Sequence, residues 1–237
     1  MRLTTLRTTA GTRAARIDGA RAVEIDAPDL GALLADPGWR ERAAAATLFA
    51  KFPEALNGPG DPITLDPASA KIDGEAELAV VIGSPVRRAG EEQAAAAIAG
   101  FAVLNDVTLR DWQYRSAQWL QGKTFEATTP FGPELVTPDE LPGGVRPALE
   151  LRCTVDGETV QAANTADLVF DPVQLVAYIS TMITLNPGDV IATGTPGGVG
   201  HARTPPRYLR DGARLVTAIE GLGVQRNAAQ AAVAVPA

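Results

Sequence analysis

Glu75 and Glu77 flank Ala76 immediately before the apolar run Leu78–Ile82. Residues two apart on a strand share a face, so the two carboxylates stand side by side and repel unless positive charge lies between them. They read either as the solvated start of a strand or as ligands. Asp106 shifts that balance. It follows Phe101-Ala102-Val103-Leu104-Asn105, and a carboxylate at the end of a core strand is costly unless it is paired or holds a cation. Three hard oxygen donors without histidine or cysteine suit Mg²⁺, Mn²⁺ or Ca²⁺ rather than zinc. Mg²⁺ would keep waters and so leave positions open for a chelating substrate. Arg110, Gln113 and Lys123 follow within a short span. Only Lys51, Lys71 and Lys123 are lysines, so Lys123 is either a residue with a specific task or a surface lysine in an arginine-biased composition.

Composition narrows the remaining chemistry. The 237 residues include 21 basic and 28 acidic side chains, a net charge of −7, with one histidine, His201, and one cysteine, Cys153. A zinc site of several histidines or four cysteines is excluded, as is an intrachain disulfide. The acidic excess argues against nucleic acid as the main partner. An apolar share of 46% fits a folded protein with a sizeable core. No run approaches the roughly 18 apolar residues of a membrane span. The N-terminus lacks the apolar stretch of a secretory signal, and with a lone thiol the expected location is cytoplasmic. Cys153 lies in an expected strand with no base nearby in sequence, and reads as core filler.

The elements that must position the acidic residues form an α+β pattern dominated by sheet. At the N-terminus, Arg2–Arg7 alternates, Gly11-Thr12 reads as a turn, Arg13–Ile17 extends, and Asp18-Gly19 signals a hairpin back into Ala22–Ile25. Leu30, Leu33 and Leu34 then have helical spacing. Residues 1–46 form a small β-rich module, 47–227 a larger domain, and 228–237 a featureless tail. Prolines and glycines make residues 53–68 a loop. Glu77–Ile82 and Phe101–Asn105 are core strands, Glu91–Ala99 is a helix, and Asp111–Gln118 a helical turn. Leu149–Val155 and Glu158–Ala163 form a hairpin through Asp156-Gly157. Asp171 caps a helix over Pro172–Ile183, and Val190–Thr193 and Leu215–Ile219 are late strands. Strands arriving as hairpins argue against Rossmann and TIM topologies.

Several ordered blocks resemble the fumarylacetoacetate hydrolase family. They are Gly74-Glu75-Ala76-Glu77-Leu78-Ala79-Val80-Val81-Ile82-Gly83; Asn105-Asp106-Val107-Thr108-Leu109-Arg110-Asp111-Trp112-Gln113; Gly122-Lys123-Thr124-Phe125; Pro130-Phe131-Gly132-Pro133; Asn164-Thr165; and the run from Leu185 through Asn186-Pro187-Gly188-Asp189 to Gly194-Thr195-Pro196-Gly197-Gly198-Val199-Gly200. The resemblance implies a mixed β-roll catalytic domain behind a small N-terminal domain, and a homodimer. It implies Mg²⁺ or Mn²⁺, with Ca²⁺ able to stand in, on Glu75, Glu77 and Asp106, chelating a small-molecule 2-oxo acid substrate. Lys123, with Arg110 and Gln113, would stabilise a developing enolate. Gly194 and Thr195, in the Gly-Thr-Pro turn, would meet the substrate carboxylate. Such roles are physically coherent, because a divalent cation and an ammonium both lower the cost of negative charge on a carbonyl oxygen.

One departure bears on the reaction. Hydrolases of this family carry a lid with an Asn-Tyr block and a His-Glu dyad that activates water, ahead of the segment that here reads Leu48-Phe49-Ala50-Lys51-Phe52-Pro53. Trp39–Thr47 has no such block, and no histidine precedes His201. His201 itself reads as a loop residue at the rim, and Glu54 and Asp61 are acids that could reach the site. Three readings remain: hydrolysis of an acylpyruvate-type C–C bond, isomerisation or decarboxylation of a 2-oxo dicarboxylate, or a non-catalytic scaffold of the same fold. The last would leave four buried charges as pure cost.

Overall fold

In the computed structural model the described residues are 2–8, 11–18, 21–25, 32 and 47–232. The chain divides into two compact units, residues 1–48 and 49–237. In the first, β1 (Arg2–Thr8), β2 (Gly11–Asp18) and β3 (Arg21–Ile25) form an antiparallel meander. Ala14, Ala15 and Ile25 are buried within it. β2 starts at Gly11, so Gly11-Thr12 is strand rather than turn, with Gly11 paired to Thr8. The expected helix around Leu30–Leu34 and the junction Trp39–Ala46 lie outside the described residues.

The second unit is α+β. Between residues 53 and 73 run three short strands, β4 (Leu56–Asn57), β5 (Ile63–Leu65) and β6 (Ile72–Asp73). The first two lie where proline and glycine suggest only loop; their partners, β10 and β15, are remote in sequence. β7 (Ala76–Ile82) leads to α1 (Glu91–Ala96) and β8 (Ile98–Asn105). The helix stops earlier than its alanines suggest because Ile98 pairs with Ile82 and Ala97 O accepts from Gly83 N. β9 (Thr108–Leu109), α2 (Arg110–Gln113), α3 (Leu120–Lys123) and β10 (Thr129–Pro130) follow. Next come β11 (Glu150–Val155), β12 (Glu158–Asn164), α4 (Pro172–Ser180) and β13 (Val190–Ala192). β14 (Arg214–Ile219) and β15 (Gly223–Ala231) close the unit. Residues 228–231, expected as tail, are strand, paired with both β14 and β5. Asp171 caps α4 as expected, and its reciprocal bond with Gln174 makes a full capping box.

The sheets have the orders β12-β11-β14-β15-β5 and β13-β7-β8, with two-stranded pairs β4-β10 and β6-β9. Two strands, β7 and β8, are buried on both faces. On one face Ala76, Leu78, Val80, Ile82, Phe101 and Val103 join the main core with Val173 and Val176 of α4. The other face carries the small cluster Ala79, Ala102 and Leu104. Period-2 alternation puts Glu75 and Glu77 on that second face, opposite the main core. The register sets Glu77 against Leu104 and Ala76 against Asn105. Among the described residues, no helix is long and apolar enough to cross a membrane.

Candidate functional site

Glu75, Glu77 and Asp106 are brought together, each offering a carboxylate oxygen within 4.8 Å of the others. All three are buried, Asp106 completely. Local structure explains the gathering. Asp106 N donates to Glu75 O, and the buried Asn105 amide accepts from Glu75 N at 2.8 Å while donating to Thr217 Oγ1 at 2.9 Å. Asn105 therefore ties the start of β7 to the end of β8 and to β14.

Cations line this acidic pocket. Lys123 Nζ bridges Glu75 Oε2 at 2.7 Å and Asp106 Oδ2 at 2.8 Å, and sits 4.9 Å from the Phe49 ring centre. The Lys123 side chain reaches inward because Gly122 lets α3 close on α2. A β-carbon there would lie 2.5 Å from Gln113 N and 2.6 Å from its Cα. Lys51 Nζ approaches Asp106 Oδ1 at 2.8 Å and also donates to Lys123 O. Arg110 is spread over three acceptors: Asp73 Oδ2 through Nε and Nη2, Glu75 Oε1 at 2.6 Å and Gln113 Oε1 at 3.0 Å through Nη1. The buried Arg110 thus holds the Asp73 and Glu75 carboxylates in place, and the buried Gln113 in turn holds Arg110.

Four carboxylates, those of Asp73, Glu75, Glu77 and Asp106, face three cations. The surplus falls on Glu77. Among the described residues it makes no ion pair, and its carboxylate accepts from Gly194 N at 2.7 Å. Burial first, then the charges of Asp106 and Glu75, push its pKa up to about 8, against the opposing pull of Lys123. Burial also raises Asp106, but the charges and hydrogen bonds of Lys123 and Lys51 outweigh it and leave the pKa below the ordinary value. Lys123 and Arg110 are depressed by burial and raised more by their acidic neighbours, so both stay cationic. Three convergent oxygens with one uncompensated negative charge fit a hard divalent cation, whose own charge would reverse the shift on Glu77.

The turn after β13 completes the site. Thr193 N donates to Leu78 O, Gly194 N to Glu77, and the Thr195 hydroxyl to Ala76 O. Gly194 and Thr195 therefore lie against β7, beside the acidic cluster. Three other residues stand differently. Glu54 and Asp61 are exposed, and the Asp61 carboxylate accepts from Gly58 N within its own loop. His201 follows Gly200 at the rim, with Nδ1 3.0 Å from Tyr208 Oη and its ring beside Tyr114. Burial and the nearby Arg110 charge lower its pKa, so it is neutral near pH 7. Cys153 is buried, with its thiol pushed up to about 12 mainly by burial.

Sequence reasoning assigned no role to Lys51 or Asp73. Lysine scarcity was a signal for Lys51, but its pairing with a residue 55 positions away leaves no local trace. Asp73, two residues before Glu75, receives Arg110 and the backbone N–H groups of Gly200 and His201.

Comparison with known proteins identifies related chains. A mitochondrial oxaloacetate tautomerase of Homo sapiens is 46% identical over 182 residues, covering 76% of this chain and 57% of that protein. The chain thus spans a little over half the length of this relative. The crystal structure of fumarylpyruvate hydrolase from Pseudomonas aeruginosa with Mn²⁺ and pyruvate superimposes with a TM-score of 0.70 at 29% identity, over 78% of each chain. A fumarylacetoacetate hydrolase from Exiguobacterium antarcticum matches 98% of this chain and 100% of its own, with a TM-score of 0.75 at 28% identity. The family model described as fumarylacetoacetate (FAA) hydrolase C-terminal matches residues 22–230. With the acidic triad, the lysine and the Gly-Thr-Pro turn assembled on that fold, the chain belongs to the fumarylacetoacetate hydrolase family.

Proposed function

We propose that the protein is a divalent-cation-dependent isomerase that interconverts the keto and enol forms of a 2-oxo dicarboxylate such as oxaloacetate. The observation that carries this reading is the cluster of Glu75, Glu77 and Asp106 set among Lys123, Lys51 and Arg110, with the chain's single histidine bonded elsewhere. Keto–enol exchange passes the carbon-bound proton to solvent water and returns one from solvent to the carbonyl oxygen, so it needs a polarised carbonyl but no water activated as a nucleophile.

Glu75, Glu77 and Asp106 would hold Mg²⁺ or Mn²⁺. When bound, the cation supplies Lewis acidity that lowers the cost of an enolate. The Lys123 ammonium, fixed between two carboxylates, donates a hydrogen bond to the oxygen that gains charge. Arg110 and Gln113 keep Glu75 and Lys123 in register rather than reaching the substrate. The Thr195 backbone N–H, which has no partner among the described residues, receives the substrate carboxylate. Similarity to a tautomerase at 46% identity supports this choice of reaction.

Hydrolysis of an acylpyruvate C–C bond is the second reading, favoured by the likeness to the fumarylpyruvate hydrolase structure. It requires a base for water that none of the described residues around the triad supplies. Incubation with Mg²⁺ and oxaloacetate, acetylpyruvate or fumarylpyruvate separates the two. Accelerated decay of enol absorbance without pyruvate or CO₂ release is expected. Pyruvate from an acylpyruvate would establish hydrolysis instead, and CO₂ from oxaloacetate decarboxylation. If none of these substrates reacts while Mn²⁺ binds, the result favours the scaffold reading.

A further inference from the structure

Gln161, on β12, has no charge and stands apart from the acidic cluster, yet it is almost completely buried and its amide is fully engaged. Its Oε1 accepts from Ala76 N at 3.0 Å. Its Nε2 donates to Thr195 Oγ1 at 2.8 Å and to Pro196 O at 3.0 Å. The amide cannot be reversed, because that would set oxygen against a carbonyl and NH₂ against an N–H.

The position of these bonds matters. β13 pairs with β7 only from Ala79 to Val81. Beyond that point the edge of β7 would be bare at Ala76, the residue between the two glutamates. Side chains take over there. Gln161 satisfies Ala76 N, and Thr195 Oγ1 satisfies Ala76 O at 3.0 Å. The Thr195 hydroxyl proton is thereby committed to Ala76 O, while the same oxygen accepts from Gln161. Toward a ligand this hydroxyl retains only a lone pair, and the donor left to Thr195 is its backbone N–H.

We infer that Gln161 is a positioning residue, which clamps the Gly194–Pro196 turn onto the glutamate-bearing strand and so sets where the substrate carboxylate is held. Its kinetic consequence rests on the isomerase reading above; the clamp itself does not. Gln161→Glu separates the two ends of the amide. Measured at about pH 9, so that the buried carboxyl is ionised, the new side chain still accepts from Ala76 N but cannot donate to Thr195 or Pro196. Gln161→Met removes both ends and serves as the contrast.

In Gln161→Glu, amide exchange at Thr193 and Gly194, followed by hydrogen–deuterium exchange, should accelerate about tenfold. KM for oxaloacetate should rise about tenfold while kcat stays within about twofold. Mn²⁺ affinity, measured by calorimetry, should hold or rise, because the charge added is negative. In Gln161→Met, Mn²⁺ affinity should fall as well, because the backbone between Glu75 and Glu77 loses its anchor. Unchanged turn exchange in Gln161→Glu overturns the clamp. A loosened turn with unchanged KM overturns the positioning role, and parallel loss of Mn²⁺ affinity and KM in Gln161→Glu shows general damage instead. Should the wild-type protein turn over no 2-oxo acid, the isomerase reading falls, and the exchange measurement alone decides the clamp.

Discussion

Lys51 Nζ lies 2.8 Å from Asp106 Oδ1, while Lys123 Nζ lies 2.8 Å from Oδ2 of the same carboxylate. A fully buried acid is thus held by two ammonium groups from separate segments. Removing one leaves Asp106 paired but short of a charge-assisted bond. Lys51→Met is expected to lower the unfolding free energy of the cation-free protein by about 1–2 kcal/mol, measured by urea denaturation. Mn²⁺ affinity should hold or rise, since a competing positive charge is gone, while turnover falls at least about tenfold. Unchanged turnover would reduce Lys51 to a neutralising charge.

Glu77 makes the site sensitive to pH. Its pKa is raised from 4.5 to about 8, so between those values the native cation-free protein keeps a proton that the unfolded chain has released. Stability therefore falls as pH rises through that window. Cation binding has the opposite dependence, because the proton must leave first. Affinity for Mn²⁺ should rise about tenfold per pH unit up to about pH 8 and then level off. Calorimetry from about pH 6 to about pH 9 checks this. Glu77→Gln should abolish the pH dependence along with most of the affinity. A flat profile for the wild-type protein would contradict the charge balance drawn here.

Gly122 controls the reach of Lys123. An added methyl would sit 2.5 Å from Gln113 N, and backbone cannot give way as a flexible side chain can. Gly122→Ala should force α3 away from α2 and destabilise the protein by about 2–4 kcal/mol. Turnover should fall with Lys123 still present. A thermal shift assay with parallel kinetics tests it; a normal melting temperature and full activity would show that the helices separate at no cost.

Cys153 should be chemically silent in the folded protein. With its pKa pushed to about 12 and its sulfur buried, the reactive thiolate is about one part in ten thousand at pH 8. A disulfide reagent that colours on thiol attack should report no free thiol under native conditions and one per chain in guanidinium. Rapid native reaction would mean that β11 opens readily.

The acidic triad was legible because its chemistry is written in residue type and short-range alternation. Glu75 and Glu77 share a face by strand period, and the apolar run before Asp106 announces a core strand. The Asp171 helix start was equally local. Other features had no such record. β4 and β5 are two or three residues long and exist through partners far along the chain. The end of β15 is alanine-rich, and its extended form is imposed by β14 and β5 rather than by propensity. Arg110 was assigned to catalysis through resemblance. Its bonds to Asp73, Glu75 and Gln113 are fixed only by tertiary packing, and no local pattern announces them. Lys51 and Gln161 act through partners 55 and 85 residues away, distances over which no periodicity speaks.

The bond from Gly194 N to the Glu77 carboxylate spans 117 residues, and that from Asn105 to Thr217 spans 112. A ribosome delivers β7 and β8 long before the segments that finish their surroundings. During synthesis the glutamates of β7 lack the turn that receives Glu77, and Asn105 lacks the threonine that orients it. The acidic cluster is therefore assembled only after Gly194 and Thr217 have been synthesised. A nascent product truncated before Gly194 would carry Glu75, Glu77 and Asp106 without the surroundings that orient them.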